Sequence, residues 1–507
     1  MLLLAAPLAR AERRHEQRRF YQQLARRLWT LNPIRTTQTQ LQVCNQPDTL
    51  FGLEPRIGEV ARLERRLDRL QGKVPAGTTM PAFERLVAER AKAQRFSGIY
   101  VISDLHLVPS MKLLFEALVD SGVQAGGHLV IGNDHSEHPD ARRGLLFEET
   151  SHRLISVERM NLRQRYRRLV SYLLAEAKAD PNARFVVLGH GGRLHAMLSW
   201  LVAQPNFPAG LKQRIVVVET TKKGEKRIAA LRKASAENRF PLTAQLPFVD
   251  IGADPYKLTF ESPTIGVGCA KAMLDELGEL AAAGLEVPEE MPMLLVGYGN
   301  VGPATGRALR QRGRRLYAFD TRFASDRALV ERAIANGVTP IHSAGEAKAI
   351  GEKIIALATG EDPYRTHPEL FGDGDVVFNL ASPGELDAVV ANGQVREAVA
   401  GHLRFGRSSI EVHDDVAPPM VFVVDGKALL FPKSSRVINL VRGASEPDLY
   451  IQLTRGLTFL GVDFAMTLFG KPPGKYDVPR PLLDDFIADV EQDLKAAGLG
   501  PLSAPTF

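Results

Sequence analysis

Three glycines and one carboxylate carry the most specific chemistry in this chain. In LLVGYGNVGPATGRALRQRGRRLYAFD, Gly297, Gly299 and Gly302 follow a short apolar run, Met293–Val296, and open a helix. A turn of this kind cradles a pyrophosphate. The first glycine permits the tight turn, the second lets backbone approach the phosphates, and the third lets the helix pack on the strand. The helix N-terminus adds a favourable field for negative charge. Asn300 and Val301 complete the turn. Asp320 ends the next strand, read as Arg315–Phe319. A carboxylate there binds the ribose hydroxyls of an adenosine and repels a ribose phosphate. The pattern predicts a dinucleotide site that favours NAD over NADP, with the neighbouring Arg322 blunting that preference. Two further strand ends belong to the same unit: Thr359 and Gly360 after Ile354–Ala358, and Asn379 after Val376–Phe378. The nicotinamide half of the cofactor is expected there.

A second set of reactive residues lies upstream. Apolar runs at Ile99–Ile102, His128–Ile131, Phe185–Leu188 and Ile215–Val218 alternate with helix-like stretches, among them Met111–Val119 and roughly 158 to 179. Alternation of this kind predicts a doubly wound parallel sheet, whose ligands sit at the carboxyl ends of the strands. The residues just past those ends are Asp104 and His106, Asn133–His135, His190 with Gly191 and Gly192, and Glu219–Lys223. Asp134, His135 and His138 lack a third ligand at helical or strand spacing, so the loop reads as exposed and polar, and no metal is expected.

The whole chain is long enough for several cores. It has 507 residues, 45% hydrophobic and 24% charged, and its formal net charge is +6. That composition is ordinary for a globular protein and gives little support to a nucleic-acid partner. The two cysteines, Cys44 and Cys269, have no metal spacing and form no disulfide framework, which fits a reducing cytoplasm. No apolar run reaches membrane-spanning length, and MLLLAAPLAR lacks the basic start and cleavage site of a signal peptide. The expected division is a helical extension over 1–75, with charged helices near 10–28 and 56–71. A substrate domain follows over 76–265, then a nucleotide-binding domain over 266–445 that opens with a helix at about 268–284. Helices over 446–507 return to the substrate domain.

Taken in order, the motifs resemble those of the S-adenosylhomocysteine hydrolase family. The likeness runs from about residue 80 to 495. It rests on Met80–Pro81, SDLHLVPSMKLLFEALVDSG, VLGHGGRL, VVVETTKKG, DPYKLTFES, GYGNVG through Asp320, SSRVINL, and YDVPRPLLDDFIADVEQDLKAAGL. The resemblance implies two doubly wound α/β domains, a split substrate domain and an inserted NAD-binding Rossmann domain. It implies tightly held NAD that oxidises a ribose 3′-hydroxyl, so that the neighbouring C4′ proton becomes acidic and the 5′ substituent can be eliminated. It assigns proton transfer to Lys257 with Glu261, and a role at C4′ or the leaving group to His106. His190 stands where the family has an acid. Glu219 and Asp104 fall to the substrate. Thr220, Thr221, Lys222, Asn379 and Asn439 fall to the cofactor.

Other positions depart from that pattern. Ser382 and Glu446 replace histidines, Val108 and Ser110 replace residues at the adenine end, and the terminal Lys/Tyr tail is missing. The expected enzyme is therefore an adenosylhomocysteinase-like hydrolase or lyase with an altered nucleoside-like substrate. It is expected to be a cytoplasmic homo-oligomer, a dimer where the family forms tetramers. The alternative is a catalytically silent NAD- or nucleotide-binding regulatory relative.

Overall fold

The computed structural model describes residues 80–124, 127–131, 152–155, 162–204, 206–208, 210–236, 246–285, 287–396, 398, 402–411, 419–435, 437–441 and 448–497. The charged helices expected near 10–28 and 56–71, the Asp134–His138 loop, Glu446 and the last ten residues lie outside that set.

The first unit begins with α1 (Pro81–Lys92), β1 (Ile99–Asp104) and α2 (Pro109–Asp120). It continues through β2 (His128–Ile131), β3 (His152–Ile155), α3 (Leu162–Ala179), β4 (Arg184–Gly189) and α4 (Arg193–Val202). It then adds β5 (Ile215–Glu219), α5 (Lys222–Ala236) and β6 (Phe248–Asp250). These strands form a parallel sheet in the order β3-β2-β1-β4-β5-β6. β1, β2 and β5 are buried on both faces, which is why they read as unbroken apolar runs. One core layer holds Tyr166, Leu169, Leu198 and Ile228, and the opposite layer holds Phe83, Phe96, Leu114 and Phe115.

The chain crosses to the second unit through α6 (Ser262–Ala282). Its first turn continues a π-helical turn at Lys257–Glu261. The helix begins earlier than the start near 268 expected from the sequence, so Gly266 falls inside it and is no helix breaker. Gly266 instead marks a close crossing, since a Cβ there would lie 2.7 Å from Ala304 Cβ. Then come β7 (Met293–Val296), α7 (Gly302–Gln311), β8 (Leu316–Phe319), α8 (Arg327–Ala335), β9 (Thr339–Ile341), β10 (Ile354–Leu357) and β11 (Val376–Asn379). β12 (Gln394–Arg396), β13 (His402–Phe405), β14 (Ser408–Glu411), β15 (Met420–Val424) and β16 (Lys427–Ser435) complete the unit. Its sheet runs β9-β8-β7-β10-β11-β16 in parallel, extended by antiparallel β15 and β12.

The chain then returns to the first unit. α9 (Asp448–Ala465) and α10 (Arg480–Ala496) pack with α1, placing Leu453, Leu457, Phe459 and Phe486 in its core. β17 (Lys475–Tyr476) between them pairs in parallel with β6. Gly456 sets how closely α9 and α10 approach, because a Cβ there would fall 2.0 Å from the Phe486 ring. The molecule is thus an α/β protein with two doubly wound parallel sheets. Each sheet has a switch point where the strand order reverses, β1/β4 in the first and β7/β10 in the second. Among the described residues, no helix is long and apolar enough to cross a membrane.

Candidate functional site

The glycine turn occupies the β7/β10 switch point. Gly297 sits at φ +95°, and a Cβ on it would lie 2.6 Å from the Ala358 carbonyl at the end of β10. A Cβ on Gly302 would lie 2.5 Å from the Gly297 carbonyl. Both positions require glycine for the turn itself. Gly299 differs, because the nearest atom to a Cβ there is Arg322 Nη2 at 3.8 Å. That opening is the space a ligand's phosphates would fill. Asn300 is exposed and Val301 is the N-cap residue of α7.

Asp320 lies at the end of β8, almost buried, and its carboxylate turns back toward this loop. Oδ2 accepts the Tyr298 amide at 2.7 Å, and Oδ1 accepts the Arg322 amide at 3.0 Å. The Arg322 side chain closes a fork on the same carboxylate. Burial alone would raise the Asp320 carboxyl, but the bonds from Arg322 and Tyr298 outweigh it and hold it below the ordinary carboxylate value.

Two asparagines close the far side of the turn's sheet. Asn379 ends β11, and its side chain folds onto its own loop, donating to the Ser382 carbonyl at 2.8 Å. It also pairs through its backbone with Val437. Asn439, two residues beyond that bridge, is buried, and among the described residues its Oδ1 has no hydrogen-bond partner. A buried amide oxygen left open costs about 1–3 kcal/mol unless a donor arrives. With the open face at Gly299, it makes this edge fit a dinucleotide. Thr359 caps its own turn by donating to the Glu361 carbonyl, and Gly360 N–H donates to Glu385.

The β1/β4 switch point of the first sheet carries no such cradle. β1 ends in Asp104, Leu105 and His106, and α2 starts directly at Pro109. β4 ends at Gly189, followed by His190. The two imidazoles meet edge to face with centroids 4.1 Å apart. His190 Nδ1 lies 3.4 Å from Thr220 Oγ1. Burial, reinforced by the charges of Arg455 and Lys257, pushes the His106 imidazole down to about 3, so it is neutral at pH 7. Lys257 pairs with Glu261 at 3.0 Å, both on the π-helical turn, a distortion that recurs at functional sites. Asp104 is buried at the strand end.

Glu219 does something different from what its position suggests. Its carboxylate is fully buried and receives the amides of Gly191, Gly192 and Thr221 at 2.9–3.0 Å, and the Thr221 hydroxyl at 2.7 Å. It holds the Gly191–Gly192 turn, which presents His190. Burial pushes its carboxyl up to about 7 against those bonds. Thr220 donates to the Gly189 carbonyl, and Thr221 hydrogen-bonds the same turn. Lys222 is half exposed and pairs with Glu225 on its own helix.

The strand-end rule covered the residue beside Lys222 but gave it no role. Lys223 is directed at the second unit and donates from Nζ to Ser382 Oγ at 2.8 Å. Around it lie Arg227 and Arg193 from the first unit, and Glu385 and Asp387 from the second. Burial raises both carboxyls, Asp387 to about 6. Which of two adjacent lysines turns inward depends on helix phase, which a polar stretch does not reveal. Arg455 was missed. It reaches the Ser110 hydroxyl at 2.8 Å from α9, 345 residues away in the chain. No signal connects those positions in one sequence. Among the described residues, no group of three or more His, Cys, Asp or Glu is placed to hold a metal ion.

No protein-family model and no curated protein matches the chain. Solved structures similar to it include a dipicolinate synthase chain from Bacillus halodurans, at 12% identity and TM-score 0.30, covering 58% of this chain and 87% of that one. D-lactate dehydrogenase from Escherichia coli is similar at 12% identity and TM-score 0.31, covering 58% and 77%. A transhydrogenase from Sinorhizobium meliloti is similar at 14% identity and TM-score 0.32, covering 72% and 95%.

Proposed function

We propose that this chain is an NAD-dependent enzyme of the adenosylhomocysteinase kind, acting on a nucleoside-like substrate held over the carboxyl edge of the first sheet. The observation that carries the reading is a convergence. His106, His190 and the Lys257–Glu261 pair come from three stretches to one switch point. That edge is hydrogen-bonded through Lys223 and Ser382 to the edge bearing the glycine turn. The backbone of Gly297–Gly302 would hold the pyrophosphate, Asp320 the adenosine ribose, and Asn439 the carboxamide, with Thr359 and Gly360 beside it. When bound, the nicotinamide supplies a hydride acceptor for the carbon of a secondary alcohol.

The protein's own residues handle the protons. Lys257 takes the hydroxyl proton, and Glu261 balances the charge. The resulting ketone makes the adjacent ring C–H acidic, so that a 5′ substituent can leave and water can add; return of the same hydride to the carbonyl carbon, with the proton given back by Lys257, would restore the alcohol and leave the cofactor unchanged overall. His106, neutral and with little affinity for a proton, suits hydrogen bonding to a hydroxyl or to the leaving group. Proton removal from carbon falls to His190, oriented by Thr220 and by the turn that Glu219 holds.

The test adds S-adenosylhomocysteine, then adenosine, to NAD-loaded protein and follows NADH absorbance while products are separated. Turnover is expected, and Lys257→Ala is expected to lower it by about 10²- to 10⁴-fold while NADH binding persists. Turnover that survives Lys257→Ala would sink the assignment. Wild-type protein that binds NAD and responds to neither compound would sink the nucleoside reading.

A further inference from the structure

We propose that the adenosine end of the glycine-turn site admits a 2′-phosphate, with Arg322 as the deciding residue, so that the chain binds NADP(H) about as well as NAD(H). The inference rests on the reading that this turn holds a dinucleotide.

The Asp320 carboxylate has no acceptor position left to offer a ribose. A carboxylate accepts about four hydrogen bonds. Here the four are the Tyr298 amide at 2.7 Å, the Arg322 amide at 3.0 Å, Arg322 Nε at 2.9 Å and Arg322 Nη2 at 2.7 Å. A carboxylate that selects NAD does so by accepting two ribose hydroxyls and by repelling a 2′-phosphate. Asp320 does neither while Arg322 is in place. Its lone pairs are taken, and its charge is neutralised at contact distance.

Local sequence builds this arrangement. β8 stops at Asp320, which caps a short 3-10 turn, Thr321–Ala324, by accepting the Arg322 amide. The cap fixes the carboxylate relative to the residue two positions on. That places the Arg322 guanidinium in a bidentate fork, the strongest geometry available to such a pair. The fork uses Nε and Nη2, so the Nη1 edge turns away from the carboxylate. The two partners differ in exposure. The Asp320 side chain is 8% exposed, whereas that of Arg322 is 52% exposed. The surface met by an incoming ribose is therefore a guanidinium. It leans over Gly299, the glycine whose Cβ direction is open. A planar cation with donors left over suits a phosphate dianion, which it can bind bidentately.

A ribose without the phosphate is also accommodated. Arg322 is a long, half-exposed side chain, and turning it outward frees the carboxylate for the hydroxyls. NAD(H) must break the fork to bind, whereas NADP(H) uses its outer edge. This opposes the two preferences and brings the affinities together.

Binding of NADH and of NADPH is measured by fluorescence on the full chain, with displacement by 2′,5′-ADP and by 5′-AMP. The expected result is dissociation constants within about tenfold of each other, and stronger displacement by 2′,5′-ADP. Arg322→Ala should weaken NADPH by about 10- to 100-fold, the worth of one charge-assisted contact. It should leave NADH unchanged or tighter. Arg322→Lys, which keeps the charge and loses the fork, should fall between. Wild-type protein that binds NADH more than about 100-fold tighter than NADPH would overturn the inference and leave the dinucleotide reading intact. Arg322→Ala weakening both cofactors equally would also overturn it. Protein that binds neither cofactor would overturn the dinucleotide reading, and this inference with it.

Discussion

The two sheets of this molecule share one strand order and differ in what stands at the reversal. In the second sheet the first strand, β7, runs into Gly297 and Gly299 before its helix, which itself opens on Gly302. In the first sheet the equivalent strand, β1, runs into Leu105, His106, Leu107 and Val108, and its helix starts on a proline. The glycines leave the strand end bare of side chains. The histidines place two imidazoles at the equivalent strand ends, His106 held neutral and His190 beside the Thr220 hydroxyl. Topology thus provides the same crevice twice, and residue type decides what each crevice can accept. The edges are complementary, and Lys223 joins them across the gap.

The largest effect is expected where the second sheet has no alternative to glycine. Gly297→Val adds a side chain at φ +95°, with Ala358 O at 2.6 Å and Thr359 N at 2.8 Å from its Cβ. Both neighbours are backbone of the adjacent strand end and cannot step aside cheaply. A left-handed conformation alone costs about 1–2 kcal/mol for a residue with a Cβ. The clash adds to it, so dinucleotide binding should vanish in calorimetry, and the melting temperature should fall. The same change at Gly299, where space is open, should spare the fold and act on binding only. Equal destabilisation at both positions would break the contrast between a glycine required by the turn and one required by the ligand.

How much of this was legible from the sequence follows the same division. The glycine turn was readable because every determinant is local: strand, turn, helix and next strand occupy a few dozen consecutive residues. His106 and His190 were nominated by the strand-end rule, which needs only the sheet class. The use of each carboxylate was not readable. Glu219 faces its own turn, and Asp320 is gripped by Arg322, because hydrogen-bond partners are chosen by three-dimensional geometry. Lys223 instead of Lys222, and Arg455 from α9, depend on helix phase and on long-range packing, which no local pattern encodes.

A smaller effect should follow from the carboxylate that stands behind His190. Glu219→Gln keeps the shape and replaces one acceptor oxygen with an amide donor. The bonds that reach this carboxylate from Gly191, Gly192 and Thr221 all come from N–H or O–H groups. Whichever way the glutamine amide lies, it sets a donor against a donor. The cost expected is about 1–3 kcal/mol, read as a lowered urea midpoint with unchanged slope. Turnover should fall with it through the displaced His190 turn, while dinucleotide affinity at the second sheet stays constant. A loss of dinucleotide affinity as well would mean that the two edges are not separable.

The smallest effect concerns His195, one turn into α4 from the same glycines. It is fully buried against Phe248, with centroids 5.2 Å apart, and among the described residues neither ring nitrogen has a hydrogen-bond partner. Burial, with the Arg232 charge nearby, pushes this imidazole down to about 3. The unfolded chain takes up a proton at about 6.5. The folded state therefore binds fewer protons than the unfolded state between those values. The histidine's contribution is intact above pH 6.5 and is lost as the pH falls toward 3. Glu219 acts in the opposite sense. Its raised carboxyl makes stability fall as the pH rises from about 4.5 to 7. His195→Leu removes the first slope and leaves the second. Near neutral pH the variant should match the wild type or gain about 1 kcal/mol from losing an unpaired polar ring. In mild acid, at about pH 5, the gain should be larger, read as a difference in melting temperature that widens as the pH falls. A difference independent of pH would mean that His195 is not held neutral, and that the first sheet's edge is more open to water than its packing indicates.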